Sequence, residues 1–272
     1  MSSAPGSPGA GGACPPNDHD RARRIEVASL GAWPALTESD FDGWRLRFAN
    51  GYTRRSNSIT PLDPSRIEVA QKVAACERIY TERGLPTIFR LTSFAPPGLD
   101  EFLAARGYAP GEAVEVRALR LGGGATPARR PARPPRAGEI RVEPVGLDRW
   151  LEVFGTLSRS AGGNRLAHRQ VLAAVPGTRR LLLLVADGRP VSCGMSVLHG
   201  GLVGLFDLVT GTAHRGRGFG GELLQRALAW GRRAGAEEAY LQVVETNLGA
   251  IRLYERAGFE TVYRYHYRER RL

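Results

Sequence analysis

The residues that most restrict what this chain can fold into are 214–224, HRGRGFGGELL. Gly216, Gly218 and Gly220 alternate with other residues, Gly221 follows, and an apolar helical stripe (Leu223, Leu224, Ala227, Leu228) begins at once. Glycine permits positive φ and close approach of a ligand to the backbone. A helix N-terminus adds unpaired N–H groups and the positive end of the peptide dipole. With Arg215 and Arg217 beside it, the segment suits the capture of an anion. The same letters satisfy G-x-G-x-x-G at Gly216, Gly218 and Gly221, but the surroundings of a dinucleotide site are missing. GTAH separates the loop from its strand, a meander rather than a βαβ unit precedes it, and the expected acid falls late, at Glu245. No lysine follows the last glycine, so a phosphate loop of the NTPase kind is excluded too.

The elements around the loop are legible. Residues 140–144 read as a strand, 147–158 and 164–175 as helices, and 181–186 as a buried strand. Asp187-Gly188 and Gly200-Gly201 are hairpin turns into strands 191–199 and 202–210. After the loop helix come strand 239–245, a helix over 250–257 closed by Gly258, and strand 262–268. Upstream, 42–48 and 57–61 form a hairpin, 66–83 a long helix and 86–91 a strand; 99–108 is a short helix stopped by Gly107, and 113–121 a strand. The stretch from Tyr108 to Leu121 is as long as that from Phe259 to Leu272 and follows a similar helix. The repeated order predicts a diverged internal duplication.

Composition sets the boundaries. Residues 1–21 and 122–138 are Gly-, Pro- and Ala-rich, the second with Arg129, Arg130, Arg133 and Arg136. They are expected to be a disordered tail and an extended linker. Two blocks remain, 22–121 and 139–272. The net charge is +11, with 38 Lys+Arg against 27 Asp+Glu. Lys72 is the single lysine, so the excess reflects a compositional bias towards arginine, although it favours polyanionic partners. More arginines crowd the C-terminus (Arg264, Arg268, Arg270, Arg271). A nucleic-acid reading is disfavoured because the linker has no aromatic residues for base stacking. No apolar run approaches the roughly 20 residues that span a bilayer, and the N-terminus has no basic start or apolar core, so a cytoplasmic protein is expected. Cys14, Cys76 and Cys193 are scattered and make neither a disulfide framework nor a zinc pattern; no metal is expected.

At this point residues 139–272 resemble the GNAT superfamily of acyl-CoA N-acyltransferases. The resemblance rests on R-x-x-G-x-G at 215–220 and on VETNLGAIRLYERAGF at 244–259, with Asn247, Ala250, Tyr254, Gly258 and Phe259 in register. It implies an α+β fold of two GNAT-like domains, each a twisted, mostly antiparallel sheet flanked by helices. Residues 22–121 are similar to the degenerate half of tandem GNAT proteins, since 60–69 carry Pro61 and Pro64 where the loop glycines would stand. No cofactor is expected in that half, which would help to shape the acceptor site. The catalytic sheet ends one strand short of the family's, so the N-terminal half is the expected source of the missing strand.

The resemblance also implies roles. Acetyl-CoA would be the donor and a primary amine of unspecified identity the acceptor, joined by direct attack in a ternary complex. The backbones of Leu208, Val209 and Thr210 would bond the pantetheine arm and steady the oxyanion. Arg215, Gly216, Arg217, Gly218, Phe219, Gly220 and Gly221 would bind the cofactor, the backbone amides of Arg217 to Gly221 holding its pyrophosphate, and Asn247 would contact pantetheine or cap the next helix. Tyr254 would protonate the departing thiolate, or serve as a core aromatic. Where some relatives place a glutamate base, this chain has Gln242. Asp207 is the nearest alternative carboxylate, with Glu245, His168, His214 or a water chain also open. A rival reading is a non-catalytic acyl-CoA-binding protein. Tyr263, Tyr265 and Tyr267 read as cross-strand packing with arginines outward, and monomer or homodimer stays undecided.

Overall fold

The computed structural model describes residues 16–122, 139–158 and 164–271. Residues 1–15 of the expected tail, Cys14, and all of the expected linker beyond Gly122 lie outside the described residues. In chain order the elements are α1 (Pro16–Ala32), β1 (Thr37–Phe41), β2 (Trp44–Phe48), β3 (Ile59–Pro61), α2 (Val69–Thr81), β4 (Thr87–Leu91), α3 (Leu99–Ala105), β5 (Ala109–Pro110) and β6 (Val114–Arg120). They continue with β7 (Ile140–Pro144), α4 (Leu147–Leu157), α5 (Arg165–Ala173), β8 (Thr178–Ala186), β9 (Arg189–His199), β10 (Leu202–Thr210), α6 (Phe219–Arg233), β11 (Glu238–Val244), α7 (Leu248–Arg256) and β12 (Glu260–Arg270). Asp187, Gly188, Gly200 and Gly201 all have positive φ, as two-residue hairpin turns require.

Helix α1 takes in residues 16–21 from the stretch expected to be tail. Its helical face Ala22, Ile25, Ala28 and Ala32 is buried in the main core, so tertiary burial, rather than local sequence, orders it. Arg21 is tied down as well, by an ion pair with Glu238 at the start of β11.

The strands of both blocks form one sheet, in the order β1-β2-β3-β4-β12-β6-β11-β10-β9-β8-β7, with β5 also on β12. The two blocks exchange strands. β6, from the first block, lies between β11 and β12 of the second, pairing Gln242 with Val116 and Thr261 with Arg117. β12, the last strand, reaches back to pair with β4 (His266 with Leu91) and with β5 (Arg268 with Pro110). The missing strand of the C-terminal sheet is therefore β6. Both exchanged strands are covered on both sides by neighbours, and Val114, Val116 and Ala118 are buried with Tyr263, Tyr265 and Tyr267.

One face of the C-terminal half carries α6 and α7 on a core of Leu205, Leu223, Leu228, Leu241 and Phe259. The other carries α1, α4 and α5 on a core of Trp33, Trp150, Phe206, Tyr240 and the three β12 tyrosines. The arginines of β12 are neutralised within the fold: Arg264 by Glu115 and Glu245, Arg268 by Asp100, and Arg270 by Glu77. No helix among the described residues is long and apolar enough to cross a membrane.

Candidate functional site

The site begins with a defect in β10. Parallel pairing of β10 with β11 holds from Leu202/Glu238 to Leu205/Leu241 and goes no further. On the other edge, the register with β9 shifts between Phe206 and Val209, and Asp207 adopts φ 50°. This is a β-bulge, which interrupts the ladder and turns the strand. Two residues of β10 oppose Gly194 alone, and its carbonyl accepts instead from the Trp150 indole at 3.1 Å. A Cβ at Gly194 would lie 2.7 Å from Leu208 Cδ2, so a larger residue there would have to displace the Leu208 side chain.

Where the strands part, a cavity of about 860 Å³ opens beside α6 and α7. Leu208, Val209, Thr210, Arg215, Gly216, Gly218, Phe219, Gly220, Gly221, Asn247 and Tyr254 all line it. Arg217, Asp207, His168, Gln242 and Glu245, also singled out in the sequence, do not. Arg217 is exposed, with its guanidinium 5.0 Å from the Phe219 ring centre, and Asp207 points to the opposite face of the sheet. Ser192, which the sequence did not single out, also lines the cavity; its hydroxyl donates to the Val209 carbonyl at 2.7 Å. A small polar residue inside a strand carries no signal by itself.

The loop has the geometry its glycines allow. Gly216 and Gly218 have φ of 73° and 89°, and Gly218 is the cap of α6, which receives no side-chain hydrogen bond there. The first N–H groups of α6 thus face the cavity without a protein acceptor from the cap. The corresponding helix of the first block is closed. Glu68 caps α2 and accepts from the Ala70 and Gln71 amides at 2.8 and 3.2 Å. Asp42 accepts from Ser65 Oγ and from the amides of Arg66 and Ile67, and Lys72 donates to Ser65 at 2.7 Å from over the Trp44 ring. These bonds, Ser65 above all, hold the Asp42 carboxyl well below its usual range. Carboxylates of the chain itself stand where α6 leaves room for an anion.

Tyr254 is 7% exposed on α7, and burial pushes its phenol up to about 12, so it stays protonated at any physiological pH. Asn247 caps α7, its Oδ1 accepting from the Ala250 amide at 3.3 Å, and also lines the cavity. His214 lines it too, with Nδ1 buried and without a partner among the described residues.

On the opposite face the bulge carries Asp207 to α5. Its Oδ2 lies 3.2 Å from His168 Nε2, and the imidazole is enclosed by the rings of Trp33, Tyr52, Trp150 and Phe154. Gln242 Oε1 accepts from the Tyr265 hydroxyl at 2.8 Å. The pairing of His168 with Asp207 was not visible in sequence, since 39 residues separate them. Glu245 is engaged elsewhere, by Arg264 at 3.0 Å. Among the described residues no three His, Cys, Asp or Glu side chains cluster as metal ligands.

Comparison with known proteins agrees with this geometry. Residues 149–259 match the acetyltransferase (GNAT) family, and residues 20–107 match a family described as the C-terminal part of the probable histone acetyltransferase Rv0428c. An uncharacterized N-acetyltransferase of Bacillus subtilis, YobR, is 27% identical over 254 residues, covering 93% of this chain and all of that protein. Among solved structures, a GCN5-related N-acetyltransferase from Kribbella flavida superposes with a TM-score of 0.66 at 17% identity, over 91% of this chain and 95% of that one. A tandem GNAT protein from the clavulanic acid biosynthesis pathway gives 0.61 at 14% identity, over 93% and 96%. At such identities these structures share the fold.

Proposed function

We propose, for a chain that belongs through residues 149–259 to the GNAT acetyltransferases and has their tandem layout, that it transfers an acetyl group from acetyl-CoA to a primary amine. The observation that carries this reading is the uncapped start of α6, with two left-handed glycines at the mouth of the cavity beside the parted strands. The donor would supply an activated acetyl thioester. Amides from Arg217 to Gly221 would hold its pyrophosphate. The β11-facing edge of Leu208, Val209 and Thr210, left without a strand partner, would pair with the pantetheine arm, and an N–H there would steady the developing oxyanion.

The reaction asks two proton transfers of this chain. The amine arrives as an ammonium ion, and Asp207 with His168 is the acid–base pair on the acceptor side of the sheet. One ammonium proton first passes through this pair to water and frees the nitrogen lone pair. As nitrogen then bonds to the carbonyl carbon and the C–S bond breaks, the second proton leaves nitrogen for the same pair, directly or through water, so that the amide, the thiolate and two protons are the products. The thiolate leaves beside Tyr254. A phenol at about 12 is a weaker acid than a free thiol near 8.5, so its contribution is a hydrogen bond that strengthens as negative charge gathers on sulfur.

Calorimetric titration of the protein with acetyl-CoA, alongside NADH and ATP, tests the reading. Saturable binding of acetyl-CoA alone is expected, and Gly218→Pro, incompatible with φ 89°, should weaken it by about 10-fold or more. Unchanged affinity in that variant would remove the loop from the donor site.

A further inference from the structure

On the acceptor side of the sheet one arginine stands apart from all its neighbours. Arg55 lies in a single turn of 3-10 helix, Arg54–Ser56, in the first block, and its side chain reaches the second. Its guanidinium carbon sits 5.5 Å from the Trp33 ring centre and 5.6 Å from that of Phe206, the residue before Asp207. Nearby arginines are matched: Arg47 by Glu38, Arg54 by Glu269, Arg90 by Glu26 and Arg264 by Glu115. Among the described residues Arg55 has no carboxylate at ion-pair distance, and its Nε is buried without a hydrogen-bond acceptor. Its surroundings supply more donors in the same condition. Trp33 Nε1, the Tyr240 hydroxyl and Gln242 Nε2 are all sealed from solvent and unpartnered.

Leaving buried donors unmatched is costly, and more so for charged ones, so this is not a neutral way to fill a core. The asymmetry has a sign. The unmatched groups are donors gathered round a cation, and a carboxylate, which only accepts, offers about four lone-pair sites. Two aromatic rings lie beside the guanidinium, whose planar fork is the geometry that a carboxylate meets with two parallel bonds. Asp207, backed by His168, supplies the opposite charge on the same face.

We propose that Arg55 selects the acceptor of the reaction set out above: an amine bearing a carboxylate, of the free amino-acid type, with its carboxylate on Arg55 and its amino group towards Asp207. The assignment rests on the acetyl-transfer reading and narrows it. It disfavours polyamines and aminoglycosides, which bring only positive charge to a site that already holds an unpaired cation. It also gives the first block a task, because Trp33, Tyr52 and Arg55 all come from it.

The test uses the full chain with acetyl-CoA and follows release of the CoA thiol. The probes are the twenty amino acids, their carboxamides, and spermidine and kanamycin as amines without an acid. One or more amino acids should be turned over, with the matching carboxamide slower in kcat/KM by about 10- to 100-fold, the worth of a charged hydrogen-bonded contact. Arg55→Gln should raise KM for the acid and abolish its advantage over the amide, and Arg55→Lys should keep part of it. Both variants should bind acetyl-CoA as the parent does and stay folded, since among the described residues the guanidinium has no ion pair to lose and only its contacts with the Trp33 and Phe206 rings are given up. Carboxamides or spermidine used as well as the acids would overturn the assignment. So would an acid preference that survives in Arg55→Gln, or no turnover of any probe by a protein that binds acetyl-CoA. Failure to bind acetyl-CoA would instead strike the donor reading itself.

Discussion

Replacing Glu26 by alanine should be among the most damaging single changes this fold can suffer. Glu26 on α1 and Arg90 on β4 are both wholly buried and form an ion pair. The second carboxylate oxygen of Glu26 accepts from the Tyr263 hydroxyl on β12 at 2.5 Å, and Arg90 lies 3.8 Å from the Tyr265 ring centre. One carboxylate thus ties the N-terminal helix to two strands at the junction of the blocks. Truncating it leaves a guanidinium with no counter-charge in the core, which costs about 3–5 kcal/mol, and the Tyr263 hydroxyl loses its acceptor as well. At roughly 2–4 °C per kcal/mol for a protein of this size, the melting temperature should fall by about 10 °C. Urea unfolding followed by circular dichroism and by tryptophan fluorescence would measure it, with coincident curves as the check on two-state behaviour. The double variant Glu26→Leu, Arg90→Met removes both charges and should recover most of the loss, because a buried pair often does no better than apolar side chains of similar volume. A Glu26→Ala loss below about 1 kcal/mol, or a double variant no better than the single, would refute the reasoning.

Two further outcomes follow from the site. Tyr254→Phe should lower kcat by about 10- to 100-fold with acetyl-CoA affinity unchanged. Because burial raises the phenol to about 12, the hydroxyl keeps its proton across the assay range and its function is lost only above that value; an alkaline limb below pH 10 that vanishes in the variant would contradict this. Gly194→Val should be destabilised by about 1–3 kcal/mol and bind acetyl-CoA more weakly, because its Cβ would meet Leu208 Cδ2 at 2.7 Å and press on the bulge. A melt and a titration matching the parent protein would show that the bulge does not depend on that glycine.

The elements were legible wherever local chemistry decides them. The loop glycines, the Asp187-Gly188 and Gly200-Gly201 turns and the apolar face of α6 follow from steric permission and periodicity, and the structure has them within a few residues of the expected places. What could not be read is what distant partners decide. Helix α1 has low hydrophobicity and starts among prolines and glycines; it is ordered by the sheet it covers. The exchange of β6 and β12 is a pairing choice, and each strand alone would fit equally well at an edge. The lining of the cavity beside α6 and α7 lay largely within two short motifs, whereas the face proposed for the acceptor draws on Trp33, Tyr52, Arg55, His168, Asp207 and Gln242, scattered through both blocks. The bulge itself was silent: nothing in LFDLVT announces that Asp207 turns to positive φ.

That scatter has a physical cause in the exchange of strands. A sheet that ended at β11 would expose an unpaired edge beside the point where β10 and β11 must stay apart, and open edges recruit other strands. With β6 bonded along the whole of β11, from Glu238 to Val244, the far edge of β11 is fixed while its near edge is left free beyond Leu241. The gap can then persist as a feature of a closed ladder rather than a frayed end. The strand that secures the gap comes from the first block, and the chain that leads to it includes α1 and the Arg54–Ser56 turn. The first block thereby holds the other block's cleft apart and, in the proposed reaction, would furnish the face from which an acceptor enters. The Glu68 cap and the Asp42–Lys72 contacts that close the start of α2 take no part in this arrangement.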